Sequence, residues 1–156
     1  MLEKIISGGQ TGADQGALDG AIACGVPYGG SIPGGRKTEA GILPLSYQMK
    51  ELDSSRYTDR TERNVIDADG TLILSHGRLT GGSALTERIA ADLQKPCLHI
   101  DFNQFDTSQA AGEVTAWIMK SDIRILNVAG PRASSDPHIY DLTRKLIALL
   151  LETAAG

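Results

Sequence analysis

The chain of 156 residues holds only two cysteines, Cys24 and Cys97, and they do not stand at a metal-ligand spacing. No set of His, Cys and carboxylate residues shows such a spacing, so no directly bound metal ion is expected. Both cysteines lie in apolar sequence, where a buried free thiol is the expected state, and a reducing cytoplasm is the expected compartment. No apolar run approaches the roughly 18 residues of a membrane span, and no signal peptide precedes Met1-Leu2-Glu3, so no membrane partner is expected. A formal net charge of -4 leaves no basic footprint for a nucleic acid. Repeats, low-complexity tracts and linkers are also missing. With 41% hydrophobic and 22% charged residues, the composition is that of one globular domain, expected to run over residues 1–156.

Glycine, by contrast, is plentiful, with 18 residues gathered in loops that follow strands. The stretch Lys4-Ile-Ile-Ser-Gly-Gly-Gln-Thr-Gly-Ala-Asp reads as a short buried strand, a glycine loop and the start of a helix. That order makes a phosphate cradle: glycines let backbone N–H groups approach an anion, and a helix N-terminus adds unpaired donors. The stretch is neither a Walker A loop nor a GxGxxG fingerprint. Glycines required only by a tight strand-to-helix turn are the alternative.

Strand and helix alternate along the rest of the chain. A strand is expected at residues 3–7, a helix at 14–24 closed by Gly25, and a short strand within 26–30. Residues 31–57 carry Pro33, Gly34, Gly35, Gly41 and Pro44 and predict a long irregular piece of the kind that serves function. A helix at 59–68 capped by Thr58, a strand at 70–75, a second glycine loop Leu79-Thr-Gly-Gly-Ser and a helix at 84–94 capped by Ser83 follow. Then come a strand at 97–101, a helix at 110–120 with Val114, Trp117 and Ile118 on one face, a strand at 123–128, and a last helix opening at Asp136-Pro137. Tyr140, Ile147, Leu150 and Leu151 form the apolar side of that helix. This alternation predicts an α/β fold, doubly wound, with a mostly parallel sheet and helices on both faces. Ligands of such sheets sit at the carboxyl ends of the strands. Loops 7–14, 75–83 and 128–135 should meet there as an anion-binding crevice.

Roles can be assigned residue by residue. Ser7, Gly8, Gly9, Gln10, Thr11 and Gly12 offer hydroxyl and backbone donors to a phosphate, beside Asp14. Thr80, Gly81, Gly82, Ser83 and Thr86 offer a second nest. Arg36, in a glycine-flanked loop near Glu39, could clamp an oxyanion with its planar fork or simply be a solvated charge. Arg60 pairs either with a ligand phosphate or with Asp69. Gly130 and Arg132 follow the last strand and point at the crevice. Asn127 reads as a satisfied strand-end polar group and His99 as structural, while His76 lies on the ligand edge and His138 opens the last helix. Glu87 and Glu39 are the acids whose context suggests chemistry.

Six blocks also carry a family resemblance: Ile6-Ser-Gly-Gly-Gln-Thr-Gly-Ala-Asp, Pro33-Gly-Gly-Arg-Lys-Thr-Glu, Arg60-Thr-Glu-Arg-Asn-Val, Asp69-Gly-Thr-Leu-Ile, Leu79-Thr-Gly-Gly-Ser-Ala-Leu-Thr and Leu126-Asn-Val-Ala-Gly-Pro-Arg. Across residues 6–132 the chain resembles the molybdenum cofactor carrier family. That family belongs to a Rossmann-like group shared with the cytokinin-activating phosphoribohydrolases and the DNA-processing protein A fold. Gln15, Ala40 and Ala133 depart from the family's pattern and remove charges near the crevice mouth.

The resemblance implies a small phosphorylated ligand, with molybdenum cofactor (molybdopterin) as the named candidate, nucleotide-like ligands beside it, and a homo-oligomer, dimer or tetramer. Any molybdenum would arrive inside its organic cofactor. Consecutive Trp117, Ile118 and Met119 fit self-association, because one helix cannot bury all three against a sheet.

A carrier needs donors and shape. The alternative, a phosphoribohydrolase cleaving the N-glycosidic bond of a nucleoside monophosphate, needs a positioned carboxylate, for which Glu87 is the candidate and Glu39 or Asp14 lesser ones. In those relatives the acid follows a GGxGTxxE loop. Here it falls one residue early, and on a helix one residue turns a side chain by about 100°. Binding is therefore the reading favoured over hydrolysis. A nucleotide-sensing module is the third reading.

Overall fold

The strand residues Ile5, Leu72, Leu74, Leu126 and Val128 are fully buried, and β-branched or leucine-rich runs covered on both faces are what parallel strands require. The computed structural model describes residues 2–155, and side chains as far as Glu152. Residues 1 and 156, the two ends of the expected domain, lie outside the described residues. Five strands form the central sheet: β1 (Lys4–Ile6), β2 (Tyr28–Gly29), β7 (Gly70–Ser75), β8 (Cys97–Asp101) and β9 (Ile125–Ala129). All neighbours are parallel, in the order β2-β1-β9-β7-β8. Helices α1 (Ala13–Ala23), α4 (Thr107–Lys120) and α5 (Ile139–Ala155) share the main apolar core with one face of the sheet. Helices α2 (Tyr57–Asp67) and α3 (Gly81–Asp92) complete the fold. The α/β, doubly wound, Rossmann-like architecture is as expected.

Alternation along the strands divides the sheet chemically. Ile5, Leu72, Leu74, Ile100, Leu126 and Val128 belong to the main core. Their alternates include Thr71, Ser75, His99 and Asn127, so the other face carries polar groups at its centre. In the core, α1 lies close against α5. A Cβ on Gly16 would stand 2.6 Å from the Tyr140 carbonyl oxygen, and one on Gly20 would stand 2.9 Å from Ile147 Cβ. These two glycines, one helical turn apart, permit the contact.

Several expected boundaries move. Residues 31–57 are not wholly irregular: β3 (Ser31–Ile32) pairs in parallel with β6 (Lys50–Glu51), and β4 (Lys37–Thr38) pairs antiparallel with β5 (Gly41–Ile42). Two-residue ladders are too short to show a period, and long-range contacts hold them. The Asn64 side chain brackets Ser31, accepting its N–H at 2.8 Å and donating to its carbonyl at 3.0 Å. Tyr47 donates to Asp19 on α1 at 2.7 Å.

Helix α2 starts after Arg56, leaving Thr58 inside it, and α3 starts after Thr80, leaving Ser83 inside it; neither cap residue makes a side-chain capping hydrogen bond. Helix α4 starts earlier than its apolar pattern because Asp106 and Gln109 form a capping box. Strand β9 begins at Ile125, and α5 begins at Ile139, after Asp136-Pro137. Cys24 is exposed and Cys97 half-buried, which corrects the expectation of two buried thiols. Trp117, Ile118 and Met119 divide as their spacing requires, Ile118 being buried and Met119 75% exposed. Among the described residues, no helix is long and apolar enough to cross a membrane.

Candidate functional site

Strand β9 inserts between β1 and β7, so the chain leaves β1 toward one sheet edge and β7 toward the other. At such a switch point the loops separate and leave a crevice at the carboxyl ends. Ser7 follows β1, Ser75 ends β7 and Ala129 ends β9, all on that edge. A cleft of about 780 Å³ opens there, a size suited to a small-molecule ligand.

The first glycine loop turns mostly inward. Gly9 has φ +73°, and a Cβ on it would stand 3.0 Å from Ile32 Cγ2 and 3.2 Å from Leu43 Cδ2. Gly12, at φ +80°, backs onto the loop after β9: a Cβ there would stand 2.4 Å from the Pro131 carbonyl oxygen. The Ser7 hydroxyl donates to the Asp14 carbonyl at 2.9 Å, and Thr11 Oγ1 accepts the Ala133 N–H at 3.1 Å. Gln15 Nε2 donates to the Gly9 carbonyl at 3.1 Å and so tethers the loop. Only Gly8, Gln10 and, on the following helix, Asp14 line the cleft.

Asp14 takes the part of an anion in this loop. Its Oδ2 accepts the Gln10 N–H at 3.1 Å and lies 3.9 Å from Arg60 Nη1. Burial pushes its pKa up to about 6, against the opposing pull of the Arg60 charge and the Gln10 N–H. Arg60 donates to the Gly8 carbonyl at 2.7 Å and lies 5.3 Å from the Tyr57 ring centre. Its partner is therefore Asp14 and not Asp69, whose carboxylate accepts the N–H groups of Arg124 and Ile125 at 3.0 and 2.8 Å.

The second glycine loop turns outward. Thr80 is extended and its side chain does not cap α3, and the first turn holds no acid. A Cβ on Gly81 or Gly82 would meet nothing within 4 Å. Among the described residues, the N–H groups of Gly81, Gly82 and Ser83 find no acceptor, and the first bond of the helix runs from Ala84 to Thr80. These donors carry the positive end of the helix dipole to the cleft wall. Arg78 and Arg132 also line the cleft, are exposed, and form no salt bridge among the described residues. His76 Nδ1 lies 2.5 Å from Asp136 Oδ2 and joins the loops after β7 and β9.

The back wall is polar. Ser75 Oγ donates to the Gly77 carbonyl at 2.6 Å and lies 2.7 Å from His99 Nε2, so the histidine serves as donor to the hydroxyl. Asn127 donates through Nδ2 to Thr71 Oγ1 at 3.2 Å and lines the cleft.

Of the residues expected at a site, the fold brings Gly8, Gln10, Asp14 and Arg60 into one cleft with Thr80, Gly81, Gly82, Ser83, Thr86, Gly130 and Arg132. His76 and His138 line it as well. Ser7, Gly9, Thr11, Gly12, Arg36 and Glu39 do not. Arg36, at φ +57°, donates to the carbonyls of Leu43, Pro44 and Tyr47 at 3.2, 2.8 and 2.9 Å, so it organises its own loop. Glu39 accepts from the Ser134 N–H at 3.1 Å and hydroxyl at 2.8 Å, tying that loop to the one after β9. Desolvation works to raise the Glu39 pKa, but the Ser134 donors, Thr11 and the Arg132 charge outweigh it and hold it below the ordinary range.

Glu87 is exposed and lies outside the cleft lining. It stands nearer Cys97, at the amino end of β8, whose thiol is pushed up to about 11 by burial and, secondarily, by the Glu87 charge. Sequence reasoning missed Thr61, Asn64, Arg78, Ser135 and Asp136 in the lining. Arg78 had a signal, since it stands just before the second glycine loop. Among the described residues, no group of three or more His, Cys, Asp or Glu could hold a metal ion.

A family model described as "Circularly permutated YpsA SLOG family" matches residues 5–151. No curated protein matches the chain. Among solved structures, the crystal structure of a "Putative molybdenum carrier protein" from Syntrophus aciditrophicus SB is similar to it. The two are 53% identical over 96% of this chain and 95% of that one, with a TM-score of 0.94.

Proposed function

The chain belongs to the circularly permutated YpsA SLOG family, and from that premise we propose that it is a carrier that holds a small molecule by its phosphate. One observation carries this reading: the bare N-terminus of α3, with Gly81 and Gly82 open to the cleft, stands in a wall that also carries Arg78 and Arg132. Backbone donors, a helix dipole and arginine forks together make an anion site that needs no general acid or base. The similar protein's name, a molybdenum carrier, makes molybdenum cofactor the favoured cargo.

The donor set fits such a cargo at its phosphate. The metal would travel on the organic part, since no three ligating side chains gather among the described residues. The whole chain serves as one binding domain in this reading. A hydrolase would instead need a carboxylate at the ribose. Of the acids Glu87, Glu39 and Asp14, only Asp14 lines the cleft, beside Asp136, which is paired with His76.

Native mass spectrometry of protein purified without added ligand should detect a retained phosphorylated small molecule. Arg132→Ala should weaken inorganic phosphate binding in calorimetry by about 1.5–3 kcal/mol, the range for a charge-assisted bond. Incubation with AMP should release no adenine. Adenine release that Asp14→Asn abolishes would replace the carrier with the hydrolase, and parent protein that ignores phosphate altogether would end the anion-site reading.

A further inference from the structure

Three side chains on the floor of the cleft keep unpaired hydrogen-bonding atoms although they are almost wholly buried. Asp14 is 8% exposed; its Oδ2 accepts the Gln10 N–H, while Oδ1 takes no hydrogen bond from the described residues. Gln10 is also 8% exposed; its Oε1 accepts the N–H groups of Thr11 and Glu39, both at 3.0 Å. Those two donors fix the amide orientation and leave Nε2 as a free donor. Asn127 is 3% exposed; Nδ2 is held by Thr71 Oγ1, which leaves Oδ1 as a free acceptor. None of the three atoms is sealed away without a partner, so each keeps access to the cleft.

The three residues are neighbours by construction. Gln10 and Asp14 share a hydrogen bond, and Asn127 pairs in register with Ile6, just before the loop that carries them. The floor therefore presents one donor and two acceptors, one of the acceptors a carboxylate. We infer that it recognises the ring edge formed by a carbonyl oxygen, a ring N–H and an amino group, on a heterocycle that also carries the phosphate. That edge is common to guanine nucleotides and pterin phosphates.

The chemistry runs as follows. The ring N–H is the donor that Asp14 Oδ1 lacks, and the adjacent amino group is the donor that Asn127 Oδ1 lacks. The carbonyl oxygen is the acceptor that Gln10 Nε2 lacks. Adenine presents a ring nitrogen lone pair where the N–H is needed, which would face the Asp14 oxygen without a proton between them. Hypoxanthine keeps the carbonyl and the N–H but lacks the amino group. Sites built around buried polar groups discriminate strongly against ligands that leave those groups unpaired.

This assignment rests on the phosphate-carrier reading of the same cleft, and titration calorimetry of the full chain can separate the two. The probes are GMP, hydroxymethylpterin monophosphate, IMP, AMP and inorganic phosphate. GMP or the pterin phosphate should bind at least tenfold more tightly than IMP and AMP, and the tighter of those two names the source of the edge. Asp14→Asn should reduce that preference to under twofold. The comparison of the tighter of GMP and the pterin phosphate with IMP on the parent protein decides the matter even where the variant folds poorly. Equal affinity for all four organic phosphates, each displaced by inorganic phosphate, would overturn the ring-edge assignment and leave the anion site standing. Failure of every probe, inorganic phosphate included, would overturn both.

Discussion

Two glycine loops leave the same sheet edge, and the protein uses them in opposite ways. After β1, Gly9 and Gly12 are glycine because other parts of the chain occupy the space of a side chain. The backbone donor of Gln10 is spent there on the protein's own carboxylate, Asp14. After β7, Gly81 and Gly82 face open space, and the helix start they form has neither a side-chain cap nor an acid. Similar composition thus has two meanings. One set of glycines allows chain to pack on chain, and the other faces open space at the cleft. The contrast also shows how a loop that reads as a phosphate cradle can be filled by an internal anion.

The comparison breaks most visibly through Gly12→Ala. A methyl group 2.4 Å from the Pro131 carbonyl at φ +80° must displace the loop after β9. The expected loss is about 4 kcal/mol in thermal or urea unfolding, in the range of overpacking plus backbone strain. A variant as stable as the parent would mean that the first loop is as free as the second.

Next in size is the cost of the internal anion. Burial raises the Asp14 pKa from 3.8 to about 6, so the folded state prefers the protonated form. Asp14 therefore favours folding most below its unfolded pKa, and that contribution is lost as pH rises through its folded pKa. Asparagine has no such loss. The melting temperature of Asp14→Asn relative to the parent should rise between about pH 4 and about pH 8, by the equivalent of about 3 kcal/mol at most. Arg60 and the Gln10 N–H are the groups that face Asp14 and limit the effect. A difference that stays flat with pH would mean that Asp14 is well solvated.

Gly82→Glu sharpens the contrast from the other side. Its carboxylate would enter space that is open and would be welcomed by the helix dipole, so stability should hold or rise by a few tenths of a kcal/mol. Inorganic phosphate binding should fall at least tenfold, about 1.4 kcal/mol, because the variant brings its own anion to the site. Undiminished phosphate binding would place the anion elsewhere. The smallest effect belongs to Glu87→Gln. An exposed acid outside the cleft should change phosphate affinity by under about 1 kcal/mol in the same calorimetric assay.

Much of this was legible in residue order. Hydrophobic runs punctuated by glycine loops announced parallel strands and put the loops after Ser7, Ser75 and Ala129 on one edge. The six blocks between Ile6 and Arg132 pointed to the family relationship that the match over residues 5–151 bears out. The start of α3 was harder to read, because a helix beginning at a glycine pair with no capping side chain has no local signature.

The chain order and its hydrophobic spacing were enough to specify the α/β class, the strand edge where the cleft opens and part of its lining, because those depend on local periodicity and on a topology with few solutions. Which glycines pack against protein and which face open space depended on contacts between segments far apart in the chain: Gly12 with Pro131, Gly8 with Arg60, Asp14 with Arg60. Such contacts leave no periodic trace, and only packing decides whether a donor meets a carbonyl, a carboxylate or open space.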